Sequence, residues 1–240
     1  MVESLFILGV IGNVISVLMF LSPVKTFWRI VKNRSTEEFE SLPYICTLLN
    51  SSLWTYYGII KPGSYLVATV NGFGVVVEII YLLLFLLFAP PFQKGKTAIL
   101  CGILNVGFLA AVLCVTYLLL NGDMRINATG YMASGLNIIM YGSPLAGMKR
   151  VVTNKSVEYM PFLLSFFLFL NGGIWTFYAV LAQDWFLGVP NVIGFFLGAL
   201  QLVLYAIYKN PRPSKDKGWL TQRLLPTKSD EANHNITVEP

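Results

Sequence analysis

The sequence predicts an all-α membrane protein with seven transmembrane helices, arranged as two parallel three-helix bundles joined by a linker helix (3+1+3). Three observations lead to this prediction. The 240 residues are 55% hydrophobic and 12% charged with a mean hydropathy of +0.65, whereas a soluble domain carries about 25% charged residues. Seven apolar stretches are long enough to cross a bilayer core of about 30 Å. Sequence features of the first three stretches recur in the last three.

The seven predicted helices cover Leu5 to Leu21, Leu42 to Ile60, Tyr65 to Phe88, Ala98 to Leu120, Ala128 to Met148, Pro161 to Leu181 and Phe186 to Tyr208. They divide the chain into a first three-helix repeat (1–90), a linker helix (91–125) and a second three-helix repeat (126–210). The remainder, 211–240, is polar and cannot bury enough apolar surface to fold, so we expect a disordered cytosolic tail.

Basic residues predict the orientation. Of the 17 Lys and Arg residues, two, Lys61 and Arg125, fall on one side of the predicted helices. The other fifteen are Lys25, Arg29, Lys32, Arg34, Lys94, Lys96, Lys149, Arg150, Lys155, Lys209, Arg212, Lys215, Lys217, Arg223 and Lys228. Because cytosolic loops are enriched in Lys and Arg, we expect a cytosolic C-terminus and a non-cytosolic N-terminus. The basic residues are spread between apolar segments, which favours a lipid bilayer over nucleic acid as the partner.

The sequence offers little that could support catalysis. Cys46, Cys101 and Cys114 lie in apolar segments without the spacing of a metal site or a disulfide framework, and we interpret them as packing residues. The single histidine, His234, lies in the polar tail, and no pair of nucleophile and base can be assembled. We therefore expect neither an enzyme nor a metal or other cofactor.

The internal repeat is the most informative feature. A shift of 121 residues aligns Ser22, Pro23, Arg29, Val31, Asn33, Ser35 and Glu37 with Ser143, Pro144, Arg150, Val152, Asn154, Ser156 and Glu158. The same shift aligns Asn50, Trp54 and Tyr57 with Asn171, Trp175 and Tyr178, and a shift of 120 aligns Asn71 and Gly74 with Asn191 and Gly194. Because the unmatched fourth helix restores the direction of the chain, the two repeats run parallel, related by an axis along the membrane normal.

A stripe of polar and aromatic residues is duplicated with the repeat. Asn50, Trp54, Tyr57 and Lys61 occupy one face of the second helix, and the sixth helix carries Asn171, Trp175 and Tyr178. For any single residue, helix packing is the better explanation, but duplication at matching depth favours two faces that line one axial cavity. Such a cavity suits a neutral sugar, whose hydroxyls need amide partners and whose C–H face packs on aromatic rings.

Further residues occupy matching positions in the two repeats. Asn71 and Asn191 begin the third helix of each repeat and extend a further amide towards the same centre. Four prolines lie at corresponding helix ends, on the predicted cytosolic half: Pro23, Pro43, Pro144 and Pro161. Since each proline removes a backbone donor and permits a bend, we interpret them as paired hinges.

Several stretches carry a resemblance to a known family. They are SPVKTFWRIVKNRSTEEFESLP, NSSLWTYYG, TVNGFG, YGSPL, NKSVEYMPF, NGGIWTFYA and VPNVIG. In this order they resemble the plant SWEET sugar transporters, over nearly all of residues 2–210. YICTLLNSSLWTYYG and ASGLNIIMYGSPL look closest to the branch associated with the vacuolar membrane. The resemblance implies bidirectional facilitated transport of sugars.

The resemblance also implies roles for individual residues. The sugar-binding core would be Asn71, Asn191, Trp54 and Trp175, with Ser16, Met19, Asn50, Asn137, Met140 and Asn171 shaping the pocket. The four prolines would be the family's proline tetrad. Tyr57 and Asp184 would form the outer gate with Lys61 and Tyr178 as neighbours, and Phe39 and Tyr159 the cytosolic constriction. Some family members have smaller residues at Asn50 and Asn171, so we expect a narrower pocket and a preference for monosaccharides.

The sequence is also compatible with two alternative functions. Glu78 is the only acidic residue deep inside a predicted helix, and an intramembrane carboxylate is a candidate for proton coupling, although a structural hydrogen bond explains it better. A seven-helix receptor would explain the helix count but not the repeat. We predict a uniporter of fructose, glucose and, as a disaccharide, sucrose, in the vacuolar membrane. The sequence leaves the oligomeric state open, a homo-oligomer included.

Overall fold

The structure is a computed structural model that describes residues 2–157, 160 and 162–209. These residues form helices joined by short loops, without any strand. The bounds are α1 Val2–Leu21, α2 Val24–Asn33, α3 Leu42–Ile60, α4 Tyr65–Phe88, α5 Pro91–Cys101, a π-helical segment Gly102–Phe108, α6 Leu109–Leu119, α7 Gly122–Met140, α8 Gly142–Asn154, α9 Phe162–Leu181 and α10 Trp185–Tyr208. The predicted tail, 211–240, lies outside the described residues.

These elements combine into seven rods. Two short breaks separate α1 from α2 and α7 from α8, and α5 and α6 continue through the π-helical segment as one linker helix. Five rods are long and apolar enough to cross a membrane: Glu3–Asn33, Tyr65–Phe88, Pro91–Leu119, Phe162–Leu181 and Trp185–Tyr208. The other two, α3 and α7 with α8, contain more polar residues, among them Asn50, Asn137 and Ser143.

The packing order is the same in both repeats. In the first repeat α4 contacts both α1 and α3, and in the second α10 contacts both α7 and α9. Between the repeats α1 packs on α9 and α3 packs on α7, two pairings that the repeat symmetry exchanges. The predicted 3+1+3 architecture of parallel repeats is therefore confirmed.

Small residues allow the second and third helices of each repeat to approach closely. A Cβ atom added at Gly58 would lie 2.9 Å from the Ala68 Cα atom, and one added at Gly198 would lie 2.6 Å from the Phe169 backbone nitrogen. Glycine at such positions brings backbones together in a membrane, where van der Waals packing drives helix association.

The linker helix is fastened to the first repeat. Asn105 in the π-helical segment donates from Nδ2 to the Ile45 carbonyl of α3 at 3.2 Å, and the Tyr56 and Thr116 hydroxyls are 3.1 Å apart. The Arg125 guanidinium binds carbonyls at the end of α6, including that of Leu120 at 2.9 Å. These contacts hold the linker against α3 and fix the turn that leads into the second repeat.

Three helix boundaries differ from the prediction. The first rod continues as α2 to Asn33, because Ser22 and Pro23 interrupt the helix without ending it. The linker begins at Pro91, seven residues before the predicted Ala98, since proline is accommodated in the first turn of a helix. The fifth rod begins at Gly122, breaks at Tyr141 and resumes as α8 to Asn154.

Candidate functional site

A cavity of about 580 Å³ lies between the two repeats. Its volume falls within the range of about 300–1,000 Å³ that is common for ligand sites. Polar side chains, aromatic rings and prolines from both repeats line it. Among the described lining residues Glu78 is the only one of the Asp, Glu, Lys and Arg types. The cavity therefore suits a neutral polar ligand.

The structure brings together all ten side chains that the sequence assigned to substrate binding. Each of them lines this cavity: Ser16, Met19, Asn50, Trp54, Asn71, Asn137, Met140, Asn171, Trp175 and Asn191. Trp54 and Trp175 are each only 4% exposed, so both indoles lie inside the bundle.

Two hydrogen bonds cross between the repeats in a symmetric pattern. The Ser16 hydroxyl donates to Asn171 Oδ1 at 2.6 Å, and Asn50 Nδ2 donates to Asn137 Oδ1 at 2.8 Å. The shift of 121 residues relates position 16 to 137 and position 50 to 171. In each bond, therefore, the first helix of one repeat contacts the second helix of the other.

The symmetry is incomplete at the level of side chains. The Trp175 indole N–H donates to Ser16 Oγ at 3.0 Å, whereas Asn137, which corresponds to Ser16, donates to the Tyr141 hydroxyl at 3.3 Å. Tyr141 in turn donates to the Pro190 carbonyl at 2.7 Å. The two walls of the cavity thus hold their polar groups through different partners.

Asn71 and Asn191 face the cavity in matching orientations. Asn71 Nδ2 donates to the Val67 carbonyl at 2.9 Å, and Asn191 Nδ2 donates to the Leu187 carbonyl at 2.8 Å. One N–H of each amide is fixed in this way by its own helix. The amide oxygen and the second N–H are left to serve as acceptor and donor for a ligand.

The cavity is closed at the end where α3 meets the start of α10, which we call the Asp184 end. The Tyr57 hydroxyl donates to Asp184 Oδ1 at 2.8 Å, and Lys61 Nζ lies 2.7 Å from Asp184 Oδ2. Lys61 also donates to the Tyr57 hydroxyl at 3.1 Å. Tyr57 and Asp184 are buried and the Lys61 side chain is 22% exposed, so the three side chains form a largely buried bridge between the repeats.

The two tryptophans connect this bridge to the cavity. The rings of Trp54 and Tyr57 meet edge to face at a centroid distance of 5.3 Å, and those of Trp175 and Tyr178 at 5.2 Å. Tyr178 is 1% exposed and shares the apolar core with Tyr57. The predicted gate residues Tyr57, Lys61, Tyr178 and Asp184 therefore gather at one end of the cavity.

The opposite end, where α2 and α8 lie, carries the prolines, and we call it the basic end. Pro23 precedes α2, Pro43 is in the first turn of α3, and Pro144 is in the first turn of α8; all three line the cavity. Pro161 and Tyr159 lie outside the described residues. Phe39 is not among the lining residues, since it packs beneath the Arg29 guanidinium at 5.7 Å. Its assignment to a constriction stays a prediction.

A second polar cluster lies at the basic end, outside the cavity. Glu37 forms an ion pair with Arg29, whose Nε donates to Glu37 Oε1 at 3.0 Å. Asn33 Nδ2 donates to the same oxygen at 2.7 Å. The hydrogen bonds from Asn33 and Arg29 lower the pKa of the Glu37 carboxyl from its ordinary 4.5. The cluster ties α2 to the loop that leads into α3.

Sequence reasoning did not single out Tyr44, Tyr141 and Gln201, which also line the cavity. A signal was present in each case, because a buried glutamine or tyrosine inside an apolar helix needs a hydrogen-bond partner. Within the described part of the chain, no three His, Cys, Asp or Glu side chains come close enough to hold a metal ion.

Comparison with known proteins agrees with this geometry. The profile of a family described as "Sugar efflux transporter for intercellular exchange" matches residues 6–93 and 127–213. The bidirectional sugar transporter SWEET17 of Arabidopsis thaliana is 62% identical over 214 residues, which are 89% of each chain. SWEET16 of the same plant is 58% identical over 89% of this chain and 93% of its own. A eukaryotic SWEET transporter solved at 3.7 Å superposes with a TM-score of 0.83 at 39% identity, over 87% of this chain and 98% of that one.

Proposed function

Because this chain belongs to the SWEET family of sugar transporters, we propose that it carries neutral sugars across a membrane in both directions, down their gradient, by alternating access. The observation that carries the proposal is the cavity between the repeats, in which paired asparagines and tryptophans surround a space whose described lining includes no basic side chain. The proposed substrates are fructose, glucose and, as a disaccharide, sucrose.

The side chains divide the binding of a sugar between them. The faces of Trp54 and Trp175 pack against the C–H surfaces of a pyranose or furanose ring. Asn71 and Asn191 exchange hydrogen bonds with its hydroxyls through the amide atoms that their own helices leave free. The crossing bonds at Asn50 and Asn171 narrow the space on either side of the ring.

Transport requires the closed end to open and the other end to close. The Tyr57, Lys61 and Asp184 bridge closes the cavity at the Asp184 end, and its rupture would admit sugar from that side. Pro23, Pro43 and Pro144, together with Pro161, serve as hinges at which each rod bends. Phe39 and Tyr159 are proposed to approach each other when the basic end closes.

The basic end is proposed to face the cytosol, since the excess of Lys and Arg lies there. The C-terminus then lies in the cytosol, and the Asp184 end faces the lumen or the cell exterior. We place the protein in the vacuolar membrane, on the resemblance of residues 44–58 and 133–145 to the branch of the family associated with that membrane. The proposed partners are the sugar, the bilayer and a second copy of the chain.

One observation favours a second candidate function. Glu78 lines the cavity, is 3% exposed, and its Oε2 atom has no hydrogen-bond partner among the described residues. A carboxylate in this position is suited to carry a proton together with the sugar. The second candidate is therefore a proton-coupled sugar carrier.

A single experiment separates the two candidates. Purified protein in proteoliposomes is tested for uptake of radiolabelled fructose, glucose and sucrose, with and without an imposed pH gradient. Facilitated transport predicts equal sugar concentrations on both sides at equilibrium, with or without the gradient. Accumulation above the external concentration that depends on the pH gradient would establish proton coupling, and absence of flux for all three sugars would contradict both candidates.

A further inference from the structure

Glu78 lies apart from the side chains that surround the centre of the cavity. It follows Asn71 by seven residues in α4, which places it on the same helix face about 10 Å farther along the axis. Because α4 starts shortly after Lys61, it runs from the Asp184 end towards the opposite end of the bundle. The direction from Asn71 to Glu78 therefore leads away from the Asp184 end. Glu78 therefore faces the half of the cavity nearer the basic end.

An aromatic residue from the neighbouring helix lines this half of the cavity as well. Tyr44 precedes Asn50 by six residues in α3, about 9 Å towards the basic end. Its ring is held edge to face by Phe27 at 4.9 Å and by Tyr81 at 5.9 Å, and Tyr81 donates to the Phe20 carbonyl at 3.0 Å. The orientation of the Tyr44 ring is therefore fixed by its surroundings.

One oxygen of the buried Glu78 carboxyl group lacks a hydrogen-bond partner among the described residues. This oxygen is Oε2, and no Lys or Arg is among the described lining residues. Burial of such a group without a partner costs free energy. Two neighbouring hydroxyls of a sugar can each form a hydrogen bond with an oxygen of this carboxyl group.

We propose that Glu78 and Tyr44 form a second sugar-binding subsite, between the central asparagine pair and the basic end. The Glu78 carboxyl group exchanges hydrogen bonds with a pair of sugar hydroxyls, and the Tyr44 ring packs on the adjacent C–H surface. These hydroxyls come either from the second ring of a disaccharide held at the centre or from a separate monosaccharide. The inference rests on the proposed transport of sugars and adds a ligand contact to it.

Calorimetric titration of the purified protein with fructose and with sucrose tests the subsite. The variants are Glu78→Leu, which removes both oxygens, and Glu78→Gln, which keeps one acceptor; Ile79→Ala, whose side chain is 43% exposed on the outside of the bundle, is the control. We expect Glu78→Leu to raise the Kd of the affected sugar about tenfold, and Glu78→Gln to raise it less. Ile79→Ala should bind both sugars like the wild type.

The two sugars distinguish the source of the hydroxyls. A loss confined to sucrose identifies the second ring of a disaccharide, and a fall in fructose stoichiometry from two to one identifies a separate monosaccharide. Unchanged binding of both sugars by Glu78→Leu would overturn the subsite while leaving transport intact. A wild-type protein that binds neither sugar would overturn the proposed function itself.

A measurement on the wild-type protein tests the subsite without any variant that could fail to fold. A hydrophobic carbodiimide modifies buried carboxyl groups, and mass spectrometry gives the extent of modification at Glu78. We expect saturating sugar to slow the modification of Glu78 several-fold without slowing that of Glu3, which lies at the exposed start of α1. Equal rates at Glu78 with and without sugar would contradict the subsite.

Discussion

The hydroxyl of Tyr57 in the first repeat donates to the carboxylate of Asp184 in the second at 2.8 Å. Asp184 Oδ1 also accepts the backbone N–H of Leu187 at 3.1 Å and so caps the start of α10. Lys61 neutralises the other oxygen. Closure at this end and the start of the helix that bears Asn191 therefore depend on the same side chain.

Removal of the lysine should open this end. In Lys61→Met the buried Asp184 loses its cation, a change that costs about 2 kcal/mol or more, which corresponds to about a 30-fold shift towards the open state. We expect a cysteine at Leu187, in a background without Cys46, Cys101 and Cys114, to react correspondingly faster with an impermeant maleimide added to the Asp184 side. Lys61→Arg, which keeps the charge, should react much more slowly than Lys61→Met. Equal rates in the two variants would contradict a gating role for the ion pair.

The two central asparagines should be required for flux. Asn71→Ala and Asn191→Ala each remove an acceptor and a donor from the cavity, and we expect transport to fall by about 100-fold or more. Uptake of radiolabelled fructose measures the effect, with size-exclusion profiles as the check on folding. Val76→Ala, on the outer face of α4 and 56% exposed, serves as the control. Retained flux in both asparagine variants would remove these residues from the site.

Shorter side chains at positions 50 and 171 should allow the protein to transport larger sugars. The double variant Asn50→Ser, Asn171→Ser removes amide groups that narrow the cavity between the repeats. We expect the ratio of sucrose flux to fructose flux to rise by about tenfold, in line with the effect of small changes in pocket volume. Parallel uptake assays of the two sugars measure the ratio. A ratio that stays constant would show that the crossing bonds do not limit substrate size.

The cluster of Glu37, Arg29 and Asn33 should stabilise the protein at neutral pH and lose this contribution at acid pH. Because hydrogen bonds from Asn33 and Arg29 lower the folded-state pKa of Glu37 from 4.5, its contribution is present above that pH and is lost as the pH falls through the folded pKa. The difference in Tm between wild type and Glu37→Gln should therefore shrink as the pH is lowered from neutral to below 4.5. A difference that is the same at both pH values would contradict a stabilising role for the ionised carboxylate.

Close helix contacts should tolerate little added volume. A methyl group at Gly198 would lie 2.6 Å from the Phe169 nitrogen, so we expect Gly198→Ala to destabilise the protein by about 1–3 kcal/mol. At Gly135 the added methyl meets no atom within 4 Å, and alanine there should be neutral or stabilise by up to about 1 kcal/mol. Thermal unfolding in one detergent compares the two variants. Equal melting temperatures would contradict the close approach of α9 and α10.

Much of the fold can be predicted from the sequence because the internal repeat shows which helices correspond to each other. Identical residues that recur at a spacing of 120 or 121, such as Asn71 with Asn191 and Trp54 with Trp175, occupy equivalent positions in the two repeats. The unmatched fourth helix then requires the repeats to run parallel. The cavity itself could be predicted from the same pairs, because amides deep in a membrane helix need polar partners.

Other features could not be predicted, since they depend on contacts between distant parts of the chain. Helical periodicity places Asn50 on a face but not opposite Asn137, and it does not distinguish a lining Tyr44 from one that packs against lipid. The π-helical segment around Asn105 has no distinctive sequence signature. The sequence does not predict the extension of the first rod beyond Pro23, because proline can interrupt a helix without ending it.

Ser16 contacts Asn171, whereas its counterpart Asn137 contacts Asn50. In an assembly of two identical chains, every substitution would appear twice, once on each subunit. Since α5, the π-helical segment and α6 join the two halves covalently, a mutation alters one wall alone. Natural selection can therefore change the contacts on each side of the sugar separately. A symmetric dimer of half-length chains cannot do so.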